Sequence, residues 1–363
     1  MSSEGLSSKK ELSVCYPEPY TKIPAQPTEK KPGQLPDEQI KRFFEEGYIV
    51  VENFFTHEEL QPCRDAIQEM VELLANKLFE AGKIKNLYKE YGLFQRLTKL
   101  EEEFPGANIL LFKHQKIPKA FRDLWCNERM LNLMEQLIGP DIAGHPVWNM
   151  RTKTPNSKAM VVPWHQDNGY FSEESYDHLI PTAWIPFLDA NEENGCMQMA
   201  RYGHKHGKMG MHTCCHTDTW FIDLSEEEMK NSLGVNTDKD LVTVPVPYGG
   251  FLLFSNIIPH RSLPNISNDI RWSIDLRWQS PFENYGFYDI AEGIVFRSST
   301  ESNVQPDWEK FLSVDRKEVW QKKYFKQVVE TDHFDTTITG PWIGRWEIKN
   351  ENKHTKAFTK SAS

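Results

Sequence analysis

The chain has 363 residues, 39% hydrophobic, 12% aromatic and 26% charged, with a mean hydropathy of −0.60. That is enough apolar material for one large core or two ordinary ones, and too much for a disordered or collagen-like polypeptide. Lys and Arg number 42 against 52 Asp and Glu, a net charge of −10, which argues against nucleic acid as a partner. The first 35 residues are net +1 and the last 15 net +3, so the stretch between carries −14.

Six cysteines are dispersed along the chain, with only Cys214 and Cys215 adjacent. This is no disulfide framework, and a reducing compartment is expected. No apolar stretch near the N-terminus serves as a signal-peptide core, and runs such as Ile109–Phe112 and Phe251–Phe254 are far too short to span a bilayer. The last residues, Lys360-Ser-Ala-Ser363, are not a peroxisomal address. A cytoplasmic protein without a membrane partner is expected, and its oligomeric state is not legible.

In chain order, residues 1–35 are rich in Ser, Lys, Glu and Pro and read as a flexible arm. Leu35-Pro36-Asp37 opens a short helix carrying Ile40, Phe43 and Phe44, and Gly47 ends it. Tyr48–Val51 follows as a strand. Thr56 and Glu59 have capping-box spacing, and Leu60, Ile67, Met70, Val71, Leu74 and Leu78 then recur at helical spacing, predicting a long core-packing helix to about residue 80. A further helix is expected over 121–138, stopped at Gly139-Pro140.

From residue 141 the texture changes. Val147–Met150, Met160–Trp164, Thr182–Phe187, Cys196–Ala200, Val242–Val246, Gly250–Phe254 and Ile270–Trp278 read as strands, the pattern of a β-sandwich or barrel. The irregular stretch 202–240 reads as an insert. Helix is expected again over Glu318–Val329, then a strand with Trp342 and Trp346, then a flexible tail over 349–363. A single domain is expected over 36–348, mainly β with helices.

Trp164-His165-Gln166-Asp167 sits on one of these strands. Residues two apart point the same way along a strand, so His165 and Asp167 present an imidazole and a carboxylate together. Alone, this pattern also fits a surface strand with two polar residues. The buried-type run Phe251–Phe254 leads to Pro259-His260, and after a turn the chain returns as Arg271–Arg277. There Arg271, Ser273, Asp275 and Arg277 share one face while Ile270, Trp272, Ile274, Leu276 and Trp278 share the other, an alternation that a half-buried surface strand also shows. Two His and one carboxylate are the ligand set of the facial triad of non-haem Fe(II), which leaves positions for a 2-oxo acid and O₂. The absence of a thiolate ligand argues against structural zinc. The far carboxylate of a 2-oxo diacid calls for an Arg, whose planar fork matches it.

These residues resemble the phytanoyl-CoA dioxygenase family of Fe(II)/2-oxoglutarate-dependent oxygenases. The motif is His165-x-Asp167, then His260 93 residues after Asp167, then Arg271 eleven residues further. Tyr170-Phe171, Ala183-Trp184, Asn194-Gly195-Cys196, Arg201-Tyr202-Gly203-His204 and Ser262, two residues beyond His260, are also family-like. Gly249-Gly250 stands where many relatives have Gly-Asp, a departure that touches a turn and no ligand. The resemblance runs from about Gly47 to Trp278. It implies a double-stranded β-helix (jelly-roll, cupin-like) flanked by helices. It implies iron on His165, Asp167 and His260, and 2-oxoglutarate anchored by Arg271 with Ser262, Trp184, Gln166, Asn149 and Met150 as further contacts. Lys113 is the guess for an additional lysine contact. The implied reaction is hydroxylation of a C–H bond in a small or medium organic molecule, coupled to decarboxylation of 2-oxoglutarate to succinate and CO₂, with O₂ consumed and ascorbate as a possible reductant. Presence of the Asp167 carboxylate implies hydroxylation in place of halogenation.

Asn168 and Tyr170 follow the ligands directly and are expected to line the substrate pocket. Arg277, on the face of Arg271, either meets an anionic substrate or pairs with a carboxylate such as Asp275. His204, His206, His212, Cys214, Cys215 and His216 form a dense group. Their spacing lacks the two-residue gap of a zinc Cys pair, so a loop at the mouth of the site is preferred to a second metal. Asn265-Ile-Ser267 fits a glycosylation sequon, accidental in a cytoplasmic chain. The alternatives to the oxygenase are a catalytically silent binding or scaffold protein and a cupin-type metalloenzyme that does not use 2-oxoglutarate.

Overall fold

The computed structural model describes residues 14–113, 116–325 and 332–362. The strands are β1 (Tyr48–Val51), β2 (Ile142–Gly144), β3 (Asn149–Lys153), β4 (Thr182–Pro186), β5 (Met197–Ala200), β6 (Thr213–Cys214), β7 (Ile222–Asp223), β8 (Leu241–Val244), β9 (Phe251–Phe254), β10 (His260–Ser262), β11 (Arg271–Gln279), β12 (Ile294–Arg297) and β13 (Glu347–Ile348). The large sheet runs β1-β9-β4-β11-β2-β12, with β3 also paired to β11, and every pairing in it is antiparallel. A second antiparallel sheet has the order β10-β5-β8. A small third sheet joins β13, β6 and β7. The chain is thus mixed helix and antiparallel sheet, as expected.

Strand alternation divides the core in two. Phe251 and Leu253 of β9, with Ala183 and Ile185 of β4, pack into the cluster shared with the helices. Their neighbours Leu252, Phe254 and Trp184 pack instead with Met197, Met199 and Val244 of the second sheet. Trp272, Ile274, Leu276 and Trp278 of β11 all lie on the helix side. Arg271, Ser273, Asp275 and Arg277 therefore face the other way, yet they too are buried. A buried polar row on a central strand is costly unless its groups are paired or bind something.

The helix side follows from the sequence. Leu60, Ile67, Met70, Val71, Leu74 and Leu78 of helix His57–Glu80 are all buried there, each contributing roughly 1.5–3 kcal/mol. The Thr56–Glu59 capping box forms in both directions, and Gly47 caps helix Asp37–Glu46 at φ 89°. A side chain at Gly47 would also collide with the ring of His204.

Several expectations give way. The stretch expected as one helix over 121–138 is two, Lys119–Trp125 and Glu128–Ile138, because the Asn127 side chain accepts from the N–H groups of Arg129 and Met130 and starts the second. Met160–Trp164 is not a strand: a 3₁₀ turn occupies Lys158–Met160, and Pro163 removes a ladder donor. From residue 14 on, the expected arm is packed. Tyr20 is 1% exposed and its hydroxyl donates to the carbonyls of Tyr176 and His178. Gln136 receives Leu35 N–H on its side-chain oxygen and donates to the Leu35 carbonyl. The tail is not loose either, since helix Lys353–Ala362 buries His354 and Thr355. Trp342 begins a short helix, Trp342–Arg345, where a strand was expected, and only Glu347–Ile348 is extended. The helix expected over Glu318–Val329 runs Arg316–Phe325, and its expected end lies outside the described residues.

Candidate metal centre

His165 and His260 are set side by side by the backbone. Each peptide N–H donates to the other residue's carbonyl, at 3.0 and 2.9 Å, so the two residues form an isolated antiparallel bridge. Their ring centroids lie 4.2 Å apart. His165 Nδ1 is 2.9 Å from the Pro163 carbonyl, and His260 Nδ1 is 3.0 Å from the Ile258 carbonyl. A carbonyl only accepts, so both Nδ1 atoms carry the proton and both Nε2 atoms keep a free lone pair, the tautomer a metal needs.

Asp167 does not sit on a strand with His165. It begins a 3₁₀ turn, Asp167–Tyr170, that swings its carboxylate toward the imidazoles. Its Oδ1 is 3.6 Å from His165 Nε2 and 3.8 Å from His260 Nε2. The three ligand atoms all lie within 4.8 Å of one another, and all three residues are buried. Burial alone would raise the Asp167 pKa, but the Arg277 guanidinium beside it holds the carboxyl well below its usual range. Burial pushes His260 down to about 3, so its imidazole is neutral at ordinary pH. Two imidazoles and one carboxylate without a thiolate suit Fe(II).

The register of β11 explains what surrounds these atoms. Facing residues of an antiparallel pair share a side of the sheet. Arg271 lies opposite Lys153, Ser273 opposite Arg151 and Pro186, Asp275 opposite Asn149 and Trp184, and Arg277 opposite Thr182. Arg277 donates through Nε and Nη2 to Asp167 Oδ2, at 3.0 and 2.7 Å, and Thr182 donates to the same oxygen. Arg151 makes the corresponding double contact to Asp275 Oδ2, at 2.8 and 2.6 Å. Lys153 Nζ donates to Ser262 Oγ and to the Leu263 carbonyl.

Arg271 is different. Its Nη1 donates to Ser273 Oγ at 2.9 Å, its guanidinium lies 4.9 Å from the Trp184 ring centroid, and its buried Nε has no acceptor. Burial lowers its pKa to about 9. It lines a small cavity with His165, His260, Trp184 and Ser262. Asp275 acts on Arg271 only through space, and a buried guanidinium with no hydrogen-bonded carboxylate, beside two metal-ready imidazoles, fits an anionic ligand. The space is 20 Å³, room for about one water, so a dicarboxylate enters only as lining side chains give way.

A larger cavity of 190 Å³ opens on Asp167 and is lined by Asn149, Tyr170 and Arg277 together with Trp148, Phe171, Trp220 and Phe221. Tyr170 stands edge-on to His165, and its hydroxyl accepts from Ile222 N–H.

Ser262, Trp184 and Arg271 are thus gathered as expected, whereas Asn149 lines the larger cavity. Met150 pairs with Ile274 on the opposite face and packs in the helix-side core, so it is corrected from contact to core. The Gln166 side chain is spent on the carbonyls of Lys208 and Ile257 and on Gly210 N–H, and Asn168 is bonded to Asn256 and Ser175. Both brace the loop behind the ligands and line neither cavity. Lys113 is held by Asp335 and lines neither cavity. Arg277, expected to meet an anionic substrate or to pair with a carboxylate such as Asp275, does the latter: its close partner is Asp167, at 2.7 Å, with Asp275 Oδ2 farther off at 3.8 Å.

Thr182, Arg151 and Lys153 were missed. The polar alternation Asn149, Arg151, Lys153 was visible in the sequence, but its place beside Arg271 is a matter of register. The 204–216 group does not converge on a point. His204 Nε2 meets the Phe44 carbonyl, His216 meets Asp223, and His212 takes Gln166 N–H on Nε2. Cys214 and Cys215 are disulfide-bonded to each other, a pairing the sequence did not suggest and one that joins no distant segments. Trp220 and Phe221 of the insert do line the larger cavity.

A family model for phytanoyl-CoA dioxygenase (PhyH) matches residues 43–273. The 1-deoxypentalenic acid 11-beta-hydroxylase of Streptomyces arenae is 29% identical over 179 residues, 46% of this chain and 59% of that protein. This chain therefore spans less than two thirds of that relative's length. The probable alpha-ketoglutarate-dependent hypophosphite dioxygenase of Stutzerimonas stutzeri is 25% identical over 230 residues, 63% of this chain and 73% of that protein. Among solved structures, the apo form of the non-heme monooxygenase ThoJ matches with a TM-score of 0.51 at 17% identity, over 77% of this chain and 96% of that one, a likeness of fold.

Proposed function

The chain belongs to the phytanoyl-CoA dioxygenase (PhyH) family, and from that premise we propose that it is an Fe(II)/2-oxoglutarate-dependent dioxygenase that hydroxylates a C–H bond of a small organic molecule. The observation that carries this reading is the convergence of His165 Nε2, Asp167 Oδ1 and His260 Nε2, with both Nδ1 protons tied to carbonyls. When bound there, iron with O₂ and 2-oxoglutarate supplies the oxidising power that removes hydrogen from carbon and returns hydroxyl, leaving succinate and CO₂.

The chain's own residues bind, orient and exclude water. His165, Asp167 and His260 hold the metal. Arg277 and Thr182 fix the plane of the Asp167 carboxylate by occupying Oδ2. Arg271, with Ser262 and Trp184 beside it, takes the far carboxylate of 2-oxoglutarate. Aromatic side chains around the 190 Å³ cavity keep the substrate side dry. That volume cannot enclose a CoA thioester, so such a substrate would lie largely outside it. The two sheets are read as a double-stranded β-helix. A cytoplasmic setting is part of the proposal; among the described residues no helix is long and apolar enough to cross a membrane.

No observation favours a silent scaffold, since the three ligands and Arg271 are all in place. The test supplies Fe(II), ascorbate, O₂ and 2-oxoglutarate and follows succinate, with anaerobic calorimetry of 2-oxoglutarate binding alongside. Succinate release and metal-dependent binding are expected. Absence of both overturns the proposal.

A further inference from the structure

Three guanidinium groups line the larger cavity: Arg151, Arg277 and Arg316. Two are neutralised, Arg151 by Asp275 and Arg277 by Asp167. The side chain of Arg316, the half-buried first residue of helix Arg316–Phe325, has no hydrogen-bond or ion-pair partner among the described residues. Among the described residues its guanidinium lies against rings, 5.8 Å from the Phe287 centroid and 5.7 Å from that of Phe311. Burial, with no offsetting carboxylate among the described residues, lowers its pKa to about 10, which leaves it charged at physiological pH.

A second group points the same way. Trp148 lines the same cavity and is 7% exposed, and its indole N–H is buried without an acceptor. The cavity therefore offers unused donors, one of them cationic, while its own carboxylate, Asp167, is committed. Most of the remaining wall is aromatic or aliphatic. A ligand that complements such a wall has an apolar body and an anionic acceptor group.

We infer that the primary substrate is an apolar organic acid whose carboxylate pairs with Arg316. The inference rests on the oxygenase reading above and extends it to the substrate class. Arg316 acts as a specificity-determining residue, holding the acid end within the chamber that Asp167 also lines, so that the hydrocarbon body is presented toward the ligands.

The experiment measures binding to the protein loaded with Co(II) under saturating 2-oxoglutarate, so that Arg271 is already occupied. The probes are cyclohexanecarboxylate, adamantane-1-carboxylate and decanoate, each against its primary amide, titrated by calorimetry. At least one acid is expected to bind tenfold or more tightly than its amide, and R316Q to reduce that preference to within twofold. R316K, which keeps the charge, is expected to retain part of it. No acid preference in the wild-type protein, whether through equal binding or through none, overturns the inference, as does full preference in R316Q. The oxygenase reading fails separately, through loss of Co(II) or 2-oxoglutarate binding in the first titration.

Discussion

Arg277 grips Asp167 by one oxygen only. Nε and Nη2 both reach Oδ2, at 3.0 and 2.7 Å, and leave Oδ1 to face the two imidazoles. The ion pair thus holds the carboxylate ionised and chooses which oxygen is offered to a metal.

Removing Arg277 should therefore show in metal binding before it shows anywhere else. Arg277→Met is expected to weaken Co(II) affinity by about 10–100-fold, the usual cost of losing an orienting partner. It should also cost the apo protein about 3–5 kcal/mol by leaving a buried carboxylate alone. Arg277→Lys should fall between. Unchanged affinity in a folded Met variant would show that the pair does not orient the ligand.

Arg271→Ala should separate cosubstrate from metal. Co(II) binding is expected to persist while 2-oxoglutarate affinity falls by the equivalent of about 2–5 kcal/mol, the cost of truncating one partner of a charge-assisted pair. Calorimetry reads both. Equal 2-oxoglutarate affinity would move the anchor elsewhere, with Lys153 and Arg151 the next cations in the row.

Burial raises the Glu101 pKa to about 7, above its usual 4.5. A carboxyl with a raised folded pKa stabilises the fold below the unfolded value and loses that contribution as pH climbs through the folded one. The loss should fall between about pH 4.5 and 7 and amount to about 1–2 kcal/mol, since the group is partly exposed. Glu101→Gln is expected to flatten this slope and to be the more stable protein at pH 8. Parallel melting profiles for both proteins between pH 5 and pH 8 would contradict it.

The segment around Tyr20 should behave as part of the fold. Tyr20→Phe removes a buried hydroxyl that donates to the Tyr176 and His178 carbonyls, at an expected cost of about 1–2 kcal/mol. Deleting residues 1–35 should cost more, because it also removes Leu35 from the core. A truncated chain that melts with the full-length protein would restore the view of this stretch as a loose arm.

By itself the sequence determined the parts whose physics is local or periodic. Leu60 to Leu78 recur at 3.6-residue spacing, so the helix and its buried side were legible. Arg271 to Arg277 alternate at period two, so the polar row opposite Trp272 and Ile274 was legible too. The ligand trio followed from residue types and motif spacing. Tertiary structure alone decided what depends on which strand lies beside which. The β3–β11 register put Met150 in the core and Arg151 and Lys153 at the site, and the β4–β11 register set Thr182 beside Arg277. The turn at Asp167 committed Arg277 to the ligand, and the residues around it spent Gln166 on backbone groups and Asn168 on Asn256 and the Ser175 carbonyl. A one-dimensional chain states which side chains share a face. It does not state which face meets which, because pairing energy belongs to contacts between residues far apart in the chain, 110 positions for Asp167 and Arg277 and 124 for Arg151 and Asp275.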